Sequence, residues 1–267
     1  MFFLLYTFPA FLRRRDFIPE PRKETTIMRK KTLFPILLFM LVAGTLHAAT
    51  LTIAAGAGYK RPLMEISRLY EEKNGTHVDG VYGNMQHIIT QTTMSGKVAI
   101  ILGDRDCLLR SGVKTSGFHR IGGGKLVLAW RKGLKLDRAS SIEGKAFGRI
   151  GMPDPSKTIY GNAATTFLQR SGLEAGTRTK LMTMSTVPQV SAYLITGELD
   201  AGFLNLTDAL AIQEQIGGFM PIEQSLYEPI NIGTVKVAGF ENNNEARRFL
   251  EFLEKPESLA IFGKYGL

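Results

Sequence analysis

The stretch from Leu51 to Leu63, LTIAAGAGYKRPL, constrains this chain more than any other. Its short apolar run (Leu51, Ile53, Ala54, Ala55) reads as a buried strand. The run breaks at Gly56-Ala57-Gly58, and a helix follows that tolerates Pro62 in its first turn. A strand that ends in a glycine-rich turn and feeds a helix leaves backbone N–H groups unpaired at the strand's carboxyl end. Such groups favour an anion through hydrogen bonds and the helix dipole. The plainer alternative is a tight βα turn without a ligand.

Strand and helix patterns alternate almost throughout, which predicts an α/β fold with a largely parallel sheet. After the first helix, stopped at Asn74-Gly75, come a strand over Val78 to Tyr82 and a loop at Gly83-Asn84-Met85. A helix over Gln86 to Met94 and a strand over Val98 to Leu102 follow, the strand running into Gly103-Asp104. Three strands thus bring glycine-containing loops to one edge. Gly122-Gly123-Gly124 precedes a strand over Lys125 to Trp130 and reads either as a hinge or as a flexible turn. No helix follows Lys125, so it is not a nucleotide-type phosphate loop. Further strands are expected at 149–152, 180–183, 201–204 and 230–237. Helices are expected at 160–171, 187–196, 207–216, 243–254 and 256–265. The expectation is two α/β lobes joined by crossing strands, one from 50–124 with 230–267 and the other from 125–229.

The first 48 residues read as an export signal. Met28-Arg29-Lys30-Lys31 is a basic start, Leu33 to Ala43 a short apolar run, and Leu46-His47-Ala48-Ala49 a small-residue cut site. The apolar run falls short of the roughly 20 residues of a membrane span. Residues 1–27 read as a mis-assigned upstream start with Met28 the initiator; the alternative is a membrane-tethered N-terminus. Of the 33 basic and 24 acidic residues, 8 and 3 lie within 1–49, which leaves +4 on the remainder. That charge is too mild for a nucleic-acid footprint. One cysteine, Cys107, excludes an intramolecular disulfide. The default expectation is a periplasmic monomer.

Catalytic patterns are poor. His77, His87 and His119 lack the spacing of a zinc protease, no G-x-S-x-G elbow occurs, and Cys107 has no partner by motif. Asp104 and Asp106 read either as cation ligands or as caps of the next helix. An exported α/β chain with glycine-rich crevice loops and no catalytic set predicts solute capture, with no enzyme activity, metal or cofactor.

The motif order resembles the molybdate-binding proteins of bacterial ABC importers, which are type II periplasmic binding proteins. LTIAAGAGYKRPLMEISRLYEEKNG is similar to that family's opening strand, loop and helix. IGMPDPSKTIYGNAATTFLQRSG, ELDAGFLNLTDAL and RRFLEFLEKPESLAIFGKYGL resemble three later segments, so the similarity spans residues 50–267. The resemblance implies a two-lobed fold, each lobe a mixed, mostly parallel sheet flanked by helices. It also implies an oxyanion such as molybdate or tungstate held by hydroxyls and backbone N–H groups between the lobes, and delivery to a membrane permease. The family's first-loop serine falls on Gly58 and its second on Asn84 or Met85. Its third-loop alanine falls on Tyr160, a backbone donor on Val187, and its tyrosine on Asn205. Both serines and the tyrosine are therefore replaced. The expected ligand contacts are Gly58, Tyr59, Asn84, Met85, Tyr160, Val187 and Asn205, with Lys60 either a further donor or a solvated residue. Open alternatives are a different small anion or organic acid, and an exported sensor that reports to a membrane kinase.

Overall fold

The computed structural model describes residues 50–267; the expected export signal lies outside the described residues. The chain opens with β1 (Thr50–Gly56), α1 (Lys60–Asn74), β2 (His77–Gly83), α2 (Met85–Ser95) and β3 (Val98–Asp104). A short α3 (Arg105–Arg110) leads to β4 (Thr115–Gly124). It then crosses to β5 (Leu126–Trp130), β6 (Ile150–Pro153), α4 (Ile159–Arg170), α5 (Glu174–Thr177) and β7 (Leu181–Met184). Next come α6 (Val187–Thr196), β8 (Ala201–Asn205), α7 (Leu206–Ile212) and β9 (Gly218–Pro221). The chain returns through β10 (Ile230–Val237) and ends with α8 (Asn244–Leu253) and α9 (Pro256–Lys264).

These strands form two five-stranded sheets, ordered β2-β1-β3-β10-β4 and β7-β6-β8-β5-β9. In each, three strands run parallel, and the fourth is antiparallel to both its neighbours. Each sheet is thus mixed, and the chain has the two-lobed type II periplasmic binding protein fold. Parallel pairing requires helical crossovers, which explains the strand–helix alternation. It also brings successive carboxyl ends to one edge: Gly56 lies opposite Gly83, and Ala55 opposite Leu102, just before Gly103.

β3 and β8 are buried along their whole length, as their unbroken apolar runs require. In the first lobe Tyr70 of α1 packs edge-on against Phe249 and Phe252 of α8, with ring centroids 5.1 and 5.2 Å apart. Phe167 of α4 meets Phe203 of β8 at 5.7 Å in the second. Gly75, Gly96 and Gly197 end α1, α2 and α6 in the left-handed conformation, where a Cβ would be strained.

Two strands depart from the sequence expectation. β9 was not anticipated, nor was β4, in which only two of ten residues are buried and little alternation shows. Gly122 to Gly124 is not a turn but the end of β4, directly before the crossing to β5. These glycines lie in β4 and pair with Ile232, Asn231 and Ile230 of β10. Close approach explains two of them: a Cβ on Gly122 would lie 2.8 Å from the Leu267 carbonyl carbon, and one on Gly124 only 2.3 Å from the Tyr160 hydroxyl. The helix expected over 207–216 ends at Ile212 and tightens into a 3₁₀ turn, Gln213–Gln215. Among the described residues, no helix is long and apolar enough to cross a membrane.

Candidate functional site

A cavity of about 40 Å³ lies where the carboxyl ends of the two sheets face each other. By the volume one water needs, it has room for about three. The first lobe lines it with Gly56 to Tyr59 after β1, Gly83 to Met85 after β2, and Gly103 and Asp104 at the end of β3. The second lobe contributes Thr158 to Tyr160 at the start of α4, and Thr186 and Val187 at the start of α6.

The helix starts determine which donors are free. In α2 the Asn84 Oδ1 accepts from His87 N at 2.9 Å, and Ile88 N reaches Asn84 O. Met85 at the first helical position keeps an N–H with no intrahelical partner. In α4 the Thr158 Oγ1 accepts from Gly161 N at 3.0 Å, so the N–H groups of Ile159 and Tyr160 are left. In α6 the Thr186 Oγ1 takes Gln189 N, and Pro188 has no N–H to give. Val187 is therefore the unclaimed donor of that turn. Gly58 sits in the 3₁₀ turn Ala57–Tyr59, which closes with the bond from Lys60 N to Ala57 O; the first i→i+3 bond of that turn falls to Tyr59 N, so the N–H left over is that of Gly58. Five unclaimed N–H groups, of Gly58, Met85, Ile159, Tyr160 and Val187, thus belong to cavity-lining residues of four chain segments.

Two hydroxyls meet at the wall: Tyr59 and Tyr160, from opposite lobes, stand 2.5 Å apart. Burial pushes both phenols above their ordinary range, so each keeps its proton at neutral pH. The pair holds two protons and uses one between its members. Asn205, wholly buried, lies behind this wall; its Nδ2 donates to Gly58 O at 3.2 Å and its Oδ1 accepts from Asp208 N at 3.0 Å.

No lysine, arginine or histidine lines the cavity, whereas the Asp104 carboxyl does. Asp104 caps α3, its Oδ1 accepting from Asp106 N and Cys107 N at 3.1 and 3.0 Å. Burial raises its pKa against these bonds.

The model for bacterial extracellular solute-binding proteins matches residues 51–267. The chain belongs to that family. It is 26% identical over 235 residues to the molybdate-binding protein of Rhodobacter capsulatus, covering 86% of this chain and 92% of the relative. Its fold is similar to the periplasmic molybdate-binding protein of Azotobacter vinelandii, with a TM-score of 0.74 and 20% identity over 81% of this chain and 97% of that one. A periplasmic thiamin-binding protein also shares the fold, with a TM-score of 0.65 and 15% identity over 83% of each chain.

Six of the seven expected contacts of this solute-binding protein line one cavity: Gly58, Tyr59, Asn84, Met85, Tyr160 and Val187. The seventh, Asn205, supports the wall from behind. The Met85 side chain also packs into the first lobe's core, where a Cβ on Gly103 would lie 2.8 Å from its Cε. Lys60 is not at the cavity; its Nζ stands 5.8 Å from the centre of the exposed-side Tyr82 ring. Asp104 acts as a helix cap, the second of its two sequence readings. Among the described residues no group of three metal-ligating side chains occurs. Sequence reasoning missed Thr158, Ile159 and Thr186, although Thr158 and Thr186 carry a capping signal before their helices. Close approach accounts for two glycines, one at an altered family position and one not. A Cβ on Gly58 would lie 2.6 Å from Asn205 Nδ2, so a serine there conflicts with Asn205. A Cβ on Gly161 would lie 2.1 Å from Pro153 O, so only glycine lets α4 approach the turn before it.

Proposed function

We propose that this protein is the periplasmic receptor of an ABC importer and captures a compact oxyanion, molybdate or tungstate first among those to test, between its lobes. The observation that carries this reading is the set of five unclaimed N–H groups around a cavity without a side-chain cation. Backbone donors favour an anion at helix N-termini. They match a tetrahedral ion because it presents acceptors in every direction. The Tyr59–Tyr160 pair has one proton to spare and replaces the hydroxyls lost from the family's serines and tyrosine. Hydrogen bonds to a charged ligand contribute about 1.5–3 kcal/mol each, and micromolar affinity needs only about 8 kcal/mol. Four such bonds suffice. The 26% identity to a molybdate-binding protein supports the same ligand class, and delivery to a membrane permease follows from that class.

Asp104 favours a second reading within the class. A carboxyl at the wall repels a bare dianion but accepts a hydrogen bond from an anion that carries its own proton. Thermal unfolding of the protein against molybdate, tungstate, sulfate, phosphate and small carboxylates separates these readings. A ligand at a hundredfold excess over its Kd stabilises the native state by about 2.7 kcal/mol. A shift with molybdate or tungstate supports the first reading. A shift with phosphate alone, which keeps a proton at neutral pH, supports the second, and no shift with any anion refutes both.

A further inference from the structure

Among the described residues, one polar contact between the lobes lies outside the cavity. Arg61, in the first turn of α1, makes an ion pair with Oδ1 of Asp208, in the first turn of α7 on the other lobe. Asp208 is 3% exposed, and Ser191 of α6 donates its hydroxyl to Oδ2. Arg61 itself is exposed, with 44% of its side chain open to solvent. Neither charge lines the cavity. The other two polar contacts across the cleft, Tyr59 to Tyr160 and Asn205 to Gly58 O, are part of the cavity's own wall.

A carboxylate this deeply buried is costly without a cation, and burial accordingly raises the Asp208 carboxyl while Ser191 and Arg61 oppose that rise. The cation comes from the opposite lobe. When the lobes part, Asp208 loses Arg61 and regains water; when they meet, the pair forms whether or not a ligand touches it. We propose that Arg61 and Asp208 form a closure latch that sets how tightly and how long a ligand is held, without choosing among ligands. Arg61 is thus a positioning residue. The proposal rests on the reading that the lobes close over a ligand. A ligand binds the closed form, so anything that lowers the closed population weakens every ligand by one factor.

The test places spin labels at Met94→Cys and Met182→Cys, exposed positions on opposite lobes, in a Cys107→Ser background. Inter-lobe distances are measured without ligand and with sodium molybdate, tungstate, sulfate or phosphate. Arg61→Met should shift the ligand-free distances towards longer values. It should also raise Kd for every ion that binds the parent by the same factor, about tenfold to a hundredfold, through faster release. Arg61→Lys should recover most of both effects, which a merely structural role would not. Unchanged distances in Arg61→Met, or a change in the ratio of Kd values between ions, would overturn the latch. If no ion binds the parent, the oxyanion reading fails, and the ligand-free distances alone decide for or against the latch.

Discussion

Restoring the family's serine at position 58 tests the cavity wall most directly. Gly58 and Asn205 face each other from opposite lobes, and the Gly58→Ser Cβ would lie 2.6 Å from Asn205 Nδ2, where ordinary contact begins at 3.4 Å. The amide therefore has to give by about 0.8 Å. It is not free to do so, because it is wholly buried and tied to both Gly58 O and Asp208 N. Overpacking of this kind costs about 1–3 kcal/mol, and loss of the Nδ2 bond alone about 1 kcal/mol. A middle value of about 2 kcal/mol falls on the closed arrangement and raises the apparent Kd about thirtyfold. Asn205→Ser should relieve the clash while retaining a side chain that caps α7. The double variant should therefore bind better than Gly58→Ser alone, with a coupling of about 2 kcal/mol. Titration calorimetry with the anion found by the unfolding screen measures all three. If Gly58→Ser binds as the parent does, or if Asn205→Ser adds to the loss, the assigned conflict is wrong.

Tyr59→Phe and Tyr160→Phe should each weaken anion binding less than tenfold, because the remaining hydroxyl turns its proton to the ligand. The double variant should lose more than the two singles together. Gly161→Ala drives a Cβ into the Pro153–Pro155 backbone and should destabilise the fold by about 1–3 kcal/mol, read as a lower thermal midpoint without ligand. Burial alone would raise the Asp200 carboxyl, but Arg149, Arg131 and the Arg149 N–H outweigh it and hold its pKa below the ordinary 3.8. Its stabilising effect is present above pH 3.8 and is lost as pH falls through the lower native value. Asp200→Asn should therefore flatten the acid limb of the stability curve, measured by denaturant midpoints from pH 6 downwards.

The edge of the first sheet was legible because its evidence is local. β1 and β3 are apolar runs that reach glycine, β2 ends at Gly83, and Asn84 and Asp104 cap the helices that follow β2 and β3. Val187 was named through the family resemblance, and the helix start supplies its physical reason, since a helix leaves its first N–H groups free whatever surrounds them. β4 and β9 were not legible, because edge strands that bury few side chains carry little hydrophobic alternation, and β4 holds three adjacent glycines. Those glycines suggested flexibility by type, whereas two of them admit a chain end and a tyrosine hydroxyl.

The amino-acid sequence by itself determined the α/β class, the glycine loops and the helix starts, because strand period, turn chemistry and capping act over a few neighbouring residues. Only the tertiary structure decided that Asn205 stands behind the cavity wall, that Tyr59 meets Tyr160, and that Arg61 supplies the cation for Asp208. Each of these pairs joins residues more than a hundred positions apart on opposite lobes. No local preference encodes such a meeting; it follows from how the two sheets face each other.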